Sequence, residues 1–178
     1  MIVVEKNLER LVGQFGICDQ SLFDGFSLRV SQGNFYFSPI ESSVGQKVIY
    51  GRSPQVSGLF SEKKEIEQNL ILAPGAKVIS CSKDMYKMPL GYFGLLQTKG
   101  TLARLFVQAT CNDGQVEPGF HGYITLEIIN MSPWSIEIPV GSDIAQLYLI
   151  KCSSEAESGY NGRYAEEAKK GPTLPIFK

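Results

Sequence analysis

The residue best suited by type and setting to do chemistry is Glu127. It stands in Tyr123-Ile124-Thr125-Leu126-Glu127-Ile128-Ile129, whose alternation predicts a strand with Tyr123, Thr125, Glu127 and Ile129 on one face and Ile124, Leu126 and Ile128 on the other. A carboxylate held mid-strand among bulky apolar side chains is partly desolvated. That raises its pKa toward neutrality and suits it to carry a proton. Taken alone, a strand Glu belongs more often to the solvated face, so the neighbouring residues have to decide. Upstream lies Lys99-Gly100-Thr101-Leu102-Ala103-Arg104, where a side-chain-free glycine exposes backbone N–H groups beside a hydroxyl and two cations. That combination makes a cradle for an anion such as phosphate.

Other reactive types offer less. The chain has one histidine, His121, set between Gly119 and Gly122 with no partner triad, so it reads as an exposed turn residue. Its four cysteines, Cys18, Cys81, Cys111 and Cys152, form no C-x-x-C pair, and a zinc site has almost nothing to build on. A zinc deaminase of nucleobases needs that pair and is not expected. The thiols are expected reduced, and Cys111 has no nearby base to make it a nucleophile.

The elements that must position Glu127 are mostly strands. Val4, Leu8, Leu11 and Val12 predict a helix within residues 1–16, ending at Gly13 or Gly16. Strands are predicted at 27–30 and 35–37 around a Ser-Gln-Gly-Asn turn, then at 47–50, 70–72, 77–81, 92–97, 105–109, 123–129, 135–138 and 144–150. Thr101 is expected to cap one helical turn reaching Arg104. Residues 51–69 read as a polar surface connection, and residues 153–178, polar with Gly and Pro, as a flexible tail. Short, evenly spaced strands with Gly/Pro turns indicate an all-β barrel or jelly roll of one domain over 1–178. Trp134, after Pro133, suits a subunit interface or the core.

Composition narrows the function. Of 178 residues 43% are hydrophobic, and the net charge is −1, which provides no basic field for a nucleic-acid duplex. No apolar run has the length of a signal peptide or a membrane span, so a cytoplasmic protein is expected.

Several motifs, in order, resemble the dCTP deaminase branch of the dUTPase superfamily. They are L-I-L-A-P-G at 70–75, G-T-L-A-R at 100–104, V-E-P-G-F-H-G-Y-I-T-L-E at 116–127, V-G-S-D-I-A-Q-L at 140–147 and Y-N-G-R-Y…G-P-T at 160–173. Ser27-Leu28-Arg29 is a weaker version of the family's first motif. The resemblance implies a distorted dUTPase-like β-barrel, a homotrimer with active sites at subunit interfaces, and Mg²⁺ carried on the nucleotide triphosphate without zinc. It puts the general acid/base on Glu127 and the catalytic arginine on Arg104. Lys99, Gly100, Thr101 and Arg104 would cradle the phosphates, and Gln146 would touch the nucleotide. A backbone carbonyl near Cys111 would help hold the attacking water. Asp113, Gly114 and Glu117 would join Cys111 in binding substrate, and Tyr160, Arg163 and Glu167 would close over it as a lid. The implied reaction is hydrolytic deamination of dCTP to dUTP, in pyrimidine deoxynucleotide metabolism.

The chain departs from the family at Gly100-Thr101, where a serine run is usual, and at Asp113, where a small apolar residue is usual. It also carries Glu117 in place of an aspartate and Glu167 in place of a glutamine. Two alternatives accompany the main reading. One is a bifunctional enzyme that continues to dUMP, since bifunctional members also carry glycine at the position of Gly114. The other is a catalytically silent nucleotide-binding or regulatory member of the same fold.

Overall fold

The spacing of Leu8, Leu11 and Val12 winds into α1 (Glu5–Phe15) and buries those three side chains, and the Gly16 N–H closes the helix onto the Val12 carbonyl. This is seen in a computed structural model that describes residues 1–51 and 56–177. Ten strands follow: β1 (Leu28–Phe37), β2 (Lys64–Glu65), β3 (Asn69–Leu72), β4 (Lys77–Lys87), β5 (Tyr92–Thr98), β6 (Val107–Gln108), β7 (Gln115–Val116), β8 (His121–Asn130), β9 (Ile136–Pro139) and β10 (Asp143–Lys151). A single helical turn, α2 (Gly100–Ala103), separates β5 from β6. The fold is all-β and dUTPase-like, as the strand spacing and the resemblance predict.

One curled sheet runs in the order β6-β8-β4-β1-β10-β5-β7, with β2 beside β1, and β3 pairs with β9 separately. Every strand pair among the described residues is antiparallel, so hairpins and crossovers close the sheet around one apolar cluster that includes Leu28, Leu72, Leu96, Leu126, Leu147 and Leu149. Tyr86 is fully enclosed, and its hydroxyl donates to the Arg29 carbonyl at 2.6 Å, which satisfies the one polar atom it brings inside.

Several sequence expectations are corrected. The predicted Ser31-Gln32-Gly33-Asn34 turn lies inside β1, where Ser31, Gln32 and Gly33 are buried and Asn34 is exposed. Gln32 Nε2 donates to Ser80 Oγ at 2.5 Å, and Ser80 Oγ donates to the Phe35 carbonyl at 2.8 Å. A register shift between Gln32 and Tyr36 marks the irregularity the turn-forming residues produce. Residues 47–50 form no strand, and the edge of β1 at Phe35 and Tyr36 is taken instead by β2, from the segment read as a plain connection. The strand expected at 105–109 is confined to Val107–Gln108, because Leu105 and Phe106 complete the turn after α2 through bonds to Leu102 and Ala103. Phe106 there holds a left-handed φ of 57°. Lys99, not Thr101, occupies the N-cap of α2, and no side chain caps it.

Residues 153–177 pack back onto the sheet. Ala168, in a short 3₁₀ turn (Glu167–Lys170), is buried and lies against β8. No helix among the described residues is long and apolar enough to cross a membrane.

Because Leu126 is fully buried while Thr125 is only half-buried on the other face of β8, their truncations should differ. Leu126→Ala is expected to cost about 2–5 kcal/mol in urea unfolding, and Thr125→Ala about 1 kcal/mol through its hydroxyl's hydrogen bonds to the Thr173 hydroxyl and N–H.

Candidate active site

Strand β8 sits between β6 and β4, and its pattern of exposure alternates residue by residue from Gly122 to Asn130. Gly122, Ile124, Leu126, Ile128 and Asn130 go into the core, so Tyr123, Thr125, Glu127 and Ile129 face the other way. Glu127 is held in register opposite Ile79 of β4, and on the opposite edge its carbonyl accepts the Cys111 N–H at 3.1 Å. Its Oε2 is enclosed and has no hydrogen-bond partner. Burial, and secondarily the negative charge of Asp113, push the Glu127 carboxyl up to about 7. Both protonation states are therefore available near neutral pH, which is what a group that takes and returns a proton needs.

The carboxyl opens into a cleft of about 450 Å³ whose walls include Ile79, Asp113, Glu117, Phe120, Tyr160 and Arg163. The tail forms one wall by close contact of backbones. Gly122 lies so near Ala168 that a Cβ would meet its carbonyl carbon at 2.8 Å, and Gly119, at φ +80°, leaves no room for a side chain beneath Gly159 and Tyr160. The Thr125 and Thr173 hydroxyls are bonded at 3.0 Å, one turn of the pleat from Glu127. Phe120 and Tyr160 stack obliquely with centroids 6.2 Å apart, and burial together with the charge of Glu117 raises the pKa of the Tyr160 phenol.

Of the residues singled out from the sequence, the structure gathers Glu127, Asp113, Glu117, Tyr160 and Arg163 around this cleft. The others lie elsewhere. Arg104 is exposed, and its Nη1 donates to the Gly100 carbonyl at 2.9 Å, folding the guanidinium back over its own turn beside Thr101. Cys111 and Gly114 line a neighbouring depression with Ala103 and Gln108. Lys99 reaches Asp143 at 3.5 Å, which also meets Arg29 at 3.6 Å and accepts from Ser31 Oγ at 2.8 Å. Gln146, on the same strand as Asp143, donates to Ser27 Oγ at 3.1 Å and Asp24 Oδ2 at 3.3 Å. Glu167 pairs with Lys170 at 2.8 Å outside the cleft. Sequence reasoning passed over Phe120, Tyr123, Thr125, Tyr164 and Thr173 as wall residues. The strand alternation carried the signal for Tyr123 and Thr125, which share the face of Glu127.

The cysteines are separate and unbridged, and burial pushes the Cys18 and Cys81 thiols up to about 12. Among the described residues no three His, Cys, Asp or Glu side chains are grouped to hold a metal ion.

The raised carboxyl has a consequence for stability. Folding favours the protonated form of Glu127, so its contribution is full below the ordinary value of 4.5 and is lost as pH rises through about 7. Glu127→Gln, neutral at every pH, should match the native chain in urea midpoint near pH 4 and exceed it at pH 8. An equal midpoint at both pH values would place the carboxylate in water.

Comparison with known proteins identifies the family. A family model described as dCTP deaminase-like matches residues 16–152. A protein of Corynebacterium glutamicum (strain R) named dCTP deaminase, dUMP-forming, is 33% identical over 109 residues, covering 60% of this chain and 58% of that protein. A Thermobifida fusca (strain YX) protein of the same name is 33% identical over 114 residues, 61% of this chain and 57% of its own length. The chain thus spans less than two thirds of the length of these curated relatives. The crystal structure of 2'-deoxycytidine 5'-triphosphate deaminase from Agrobacterium tumefaciens superposes with a TM-score of 0.61 at 17% identity, over 83% of this chain and 47% of that one. With the family model covering most of its length, the chain belongs to the dCTP deaminase-like family.

Proposed function

We propose that this chain deaminates dCTP hydrolytically and carries the product on to dUMP. The observation that carries the first step is Glu127, an enclosed carboxyl titrating near neutrality with one oxygen unpaired at the wall of a cleft. As carboxylate it takes a proton from water, whose oxygen adds to C4 of the cytosine ring. As carboxylic acid it returns that proton to N3. Glu127 then takes the C4 hydroxyl proton and passes it to the amino nitrogen, so that the C4–N bond breaks, ammonia leaves and the C4 oxygen becomes a carbonyl. In the second step a water attacks the α-phosphorus, the bond to the β-phosphate bridging oxygen breaks, and pyrophosphate departs. The two relatives, each named dCTP deaminase, dUMP-forming, support this bifunctional reading over one that stops at dUTP.

The charge around the cleft points to where the phosphates are held. Its walls carry Asp113, Glu117 and Glu127 against one guanidinium, Arg163, whose Nη1 is engaged with the Ile176 carbonyl at 2.6 Å. A triphosphate needs more positive charge than that. Lys99 and Arg104 have it, but on another part of the same chain. A second copy that brings its Gly100–Arg104 turn to the cleft meets the need, in keeping with the homotrimer expected from the resemblance. Leu105, Phe106, Met131 and Trp134 lie exposed next to that turn, and Met131 N–H bonds the Phe106 carbonyl at 2.9 Å, which gives such an interface an apolar margin. Mg²⁺ would arrive on the triphosphate as part of the substrate.

Incubated with dCTP and Mg²⁺, the chain should release ammonia, dUMP and pyrophosphate in equal amounts by product chromatography. Accumulating dUTP would remove the second step, and no ammonia would overturn the reading in favour of a silent nucleotide-binding member. Glu127→Gln should lower turnover at least about 10²-fold with the fold intact.

Arg104→Ala should also be inactive. Mixed and reassembled with Glu127→Gln, it should restore about one quarter of native activity if each site draws Glu127 and Arg104 from different copies. No restoration would confine both residues to one chain.

A further inference from the structure

Away from the cleft, one carboxylate stands among the cations of the sheet. Asp143 opens β10 opposite Ser31 of β1, and its Oδ1 accepts the hydroxyl of that buried serine at 2.8 Å. Its Oδ2 faces two cations, Lys99 Nζ at 3.5 Å and Arg29 Nη1 at 3.6 Å. Lys99 is brought there by its own backbone, because its N–H donates to the carbonyl of Ile144, the residue after Asp143, at 2.8 Å. Arg29 is fixed from behind, with Nη2 donating to the Ser21 carbonyl and Nε enclosed without a partner. Among the described residues Asp143 is the carboxylate that pairs with both cations, and neither has another. The cluster is open to a ligand, since the Lys99 and Arg29 side chains are each 37% exposed and that of Asp143 22%. Lys99 leads directly into the Gly100–Arg104 turn.

An ammonium, a guanidinium and a serine hydroxyl gathered on one anionic group are also the donors that bind a phosphate. Asp143 offers a single charge to two cations, and at distances longer than the roughly 2.7–2.9 Å of a close charge-assisted hydrogen bond, so both cations keep capacity for a stronger anion. We propose, resting on the reading that Lys99 binds the triphosphate, that Asp143 is a specificity-determining residue of the phosphate site: it stands in for phosphate on Lys99 in the free protein and yields the ammonium to a polyphosphate. A carboxylate carries one negative charge and a terminal phosphate group about two, so the phosphate draws the ammonium away. A nucleotide whose phosphates stop short of Lys99 leaves the pair closed and gains nothing from it. The exchange lowers the affinity for every polyphosphate below what two free cations would give, because each must break an ion pair and then lie beside the carboxylate left behind. The site is thereby selective for a long phosphate chain without holding it tightly, and Lys99 returns to Asp143 when pyrophosphate departs.

The test is calorimetric titration of full-length Glu127→Gln, which holds substrate without turning it over, with dCTP and with dCMP in Mg²⁺, beside the double variant Glu127→Gln/Asp143→Asn. Asparagine keeps an oxygen for the Ser31 hydroxyl and removes the charge. The expected result is dCTP bound about ten-fold tighter in the double variant, with dCMP little changed, and the gain lost when Lys99→Ala is added. A carboxylate with a merely structural role would weaken binding when removed, so a gain that depends on Lys99 separates the two. Asp143→Ser carries the same expectation if the asparagine variant folds poorly. Equal tightening of dCMP overturns the selection for phosphate number. Unchanged or weaker dCTP binding, with Lys99→Ala alone still weakening it and ammonia still released by the native chain, overturns this role of Asp143 and leaves the deaminase and its phosphate site standing. No effect of Lys99→Ala on dCTP affinity overturns the role of Asp143 together with the placing of phosphate on Lys99. No binding of either nucleotide and no ammonia from the native chain overturns the deaminase as well.

Discussion

A strand that is buried on one face must set every second side chain against the core, and on β8 this constraint puts a carboxylate between two leucine-sized anchors. Leu126 and Ile128 flank Glu127 in sequence and are essentially inaccessible, so the backbone cannot slip or twist to let the carboxyl reach bulk water. The partner strands reinforce the position, with Ile79 opposite on β4 and the Cys111 N–H on the other edge. What would be a costly placement for a structural residue suits Glu127 to the proton transfer proposed for it, because the cost falls on the ionised form and raises the pKa toward 7. The rest of the cleft depends on that strand staying where it is.

The tail is fitted to the same strand by absence of side chains. Gly119 and Gly122 let residues 159–168 approach until backbone meets backbone, and the Thr125–Thr173 bond fixes the approach one residue pair away from Glu127. Packing of this kind dries the carboxyl from above while the β8 register holds it from below. Stability and chemistry are opposed at this point, since the wall that raises the proton affinity of Glu127 is also the one that leaves its Oε2 unpaired.

Charge is distributed unevenly over the fold. Carboxylates gather at the cleft, while Lys99 is drawn into a half-buried cluster with Arg29 and Asp143, and Arg104 folds over Gly100. A single chain therefore holds the raised carboxyl of Glu127 and the cations proposed to bind phosphate on separate surfaces. That separation is the physical reason an assembly of several copies suits the chemistry proposed for it.

Strand alternation was legible in the sequence, because a period of two in Tyr123–Ile129 leaves only one way to bury the apolar set. So were α1, most of the strands and the all-β class, and with them the face on which Glu127 sits. Residues 31–34 and 47–50 were misread for one reason: turn-forming and strand-forming types are local preferences, and the outcome lay with remote partners. Ser80 drew Gln32 into the sheet, and β2 took the edge beside Phe35. The chemistry-bearing residues divided in the same way. Their types and motif order were in the chain, but nothing local reveals that Asp113, Glu117, Tyr160 and Arg163 converge on Glu127 while Lys99, Arg104, Gln146 and Glu167 turn elsewhere. Convergence depends on the curl of the sheet and on the docking of the tail, both products of contacts between segments far apart in sequence, and those only the tertiary structure decided.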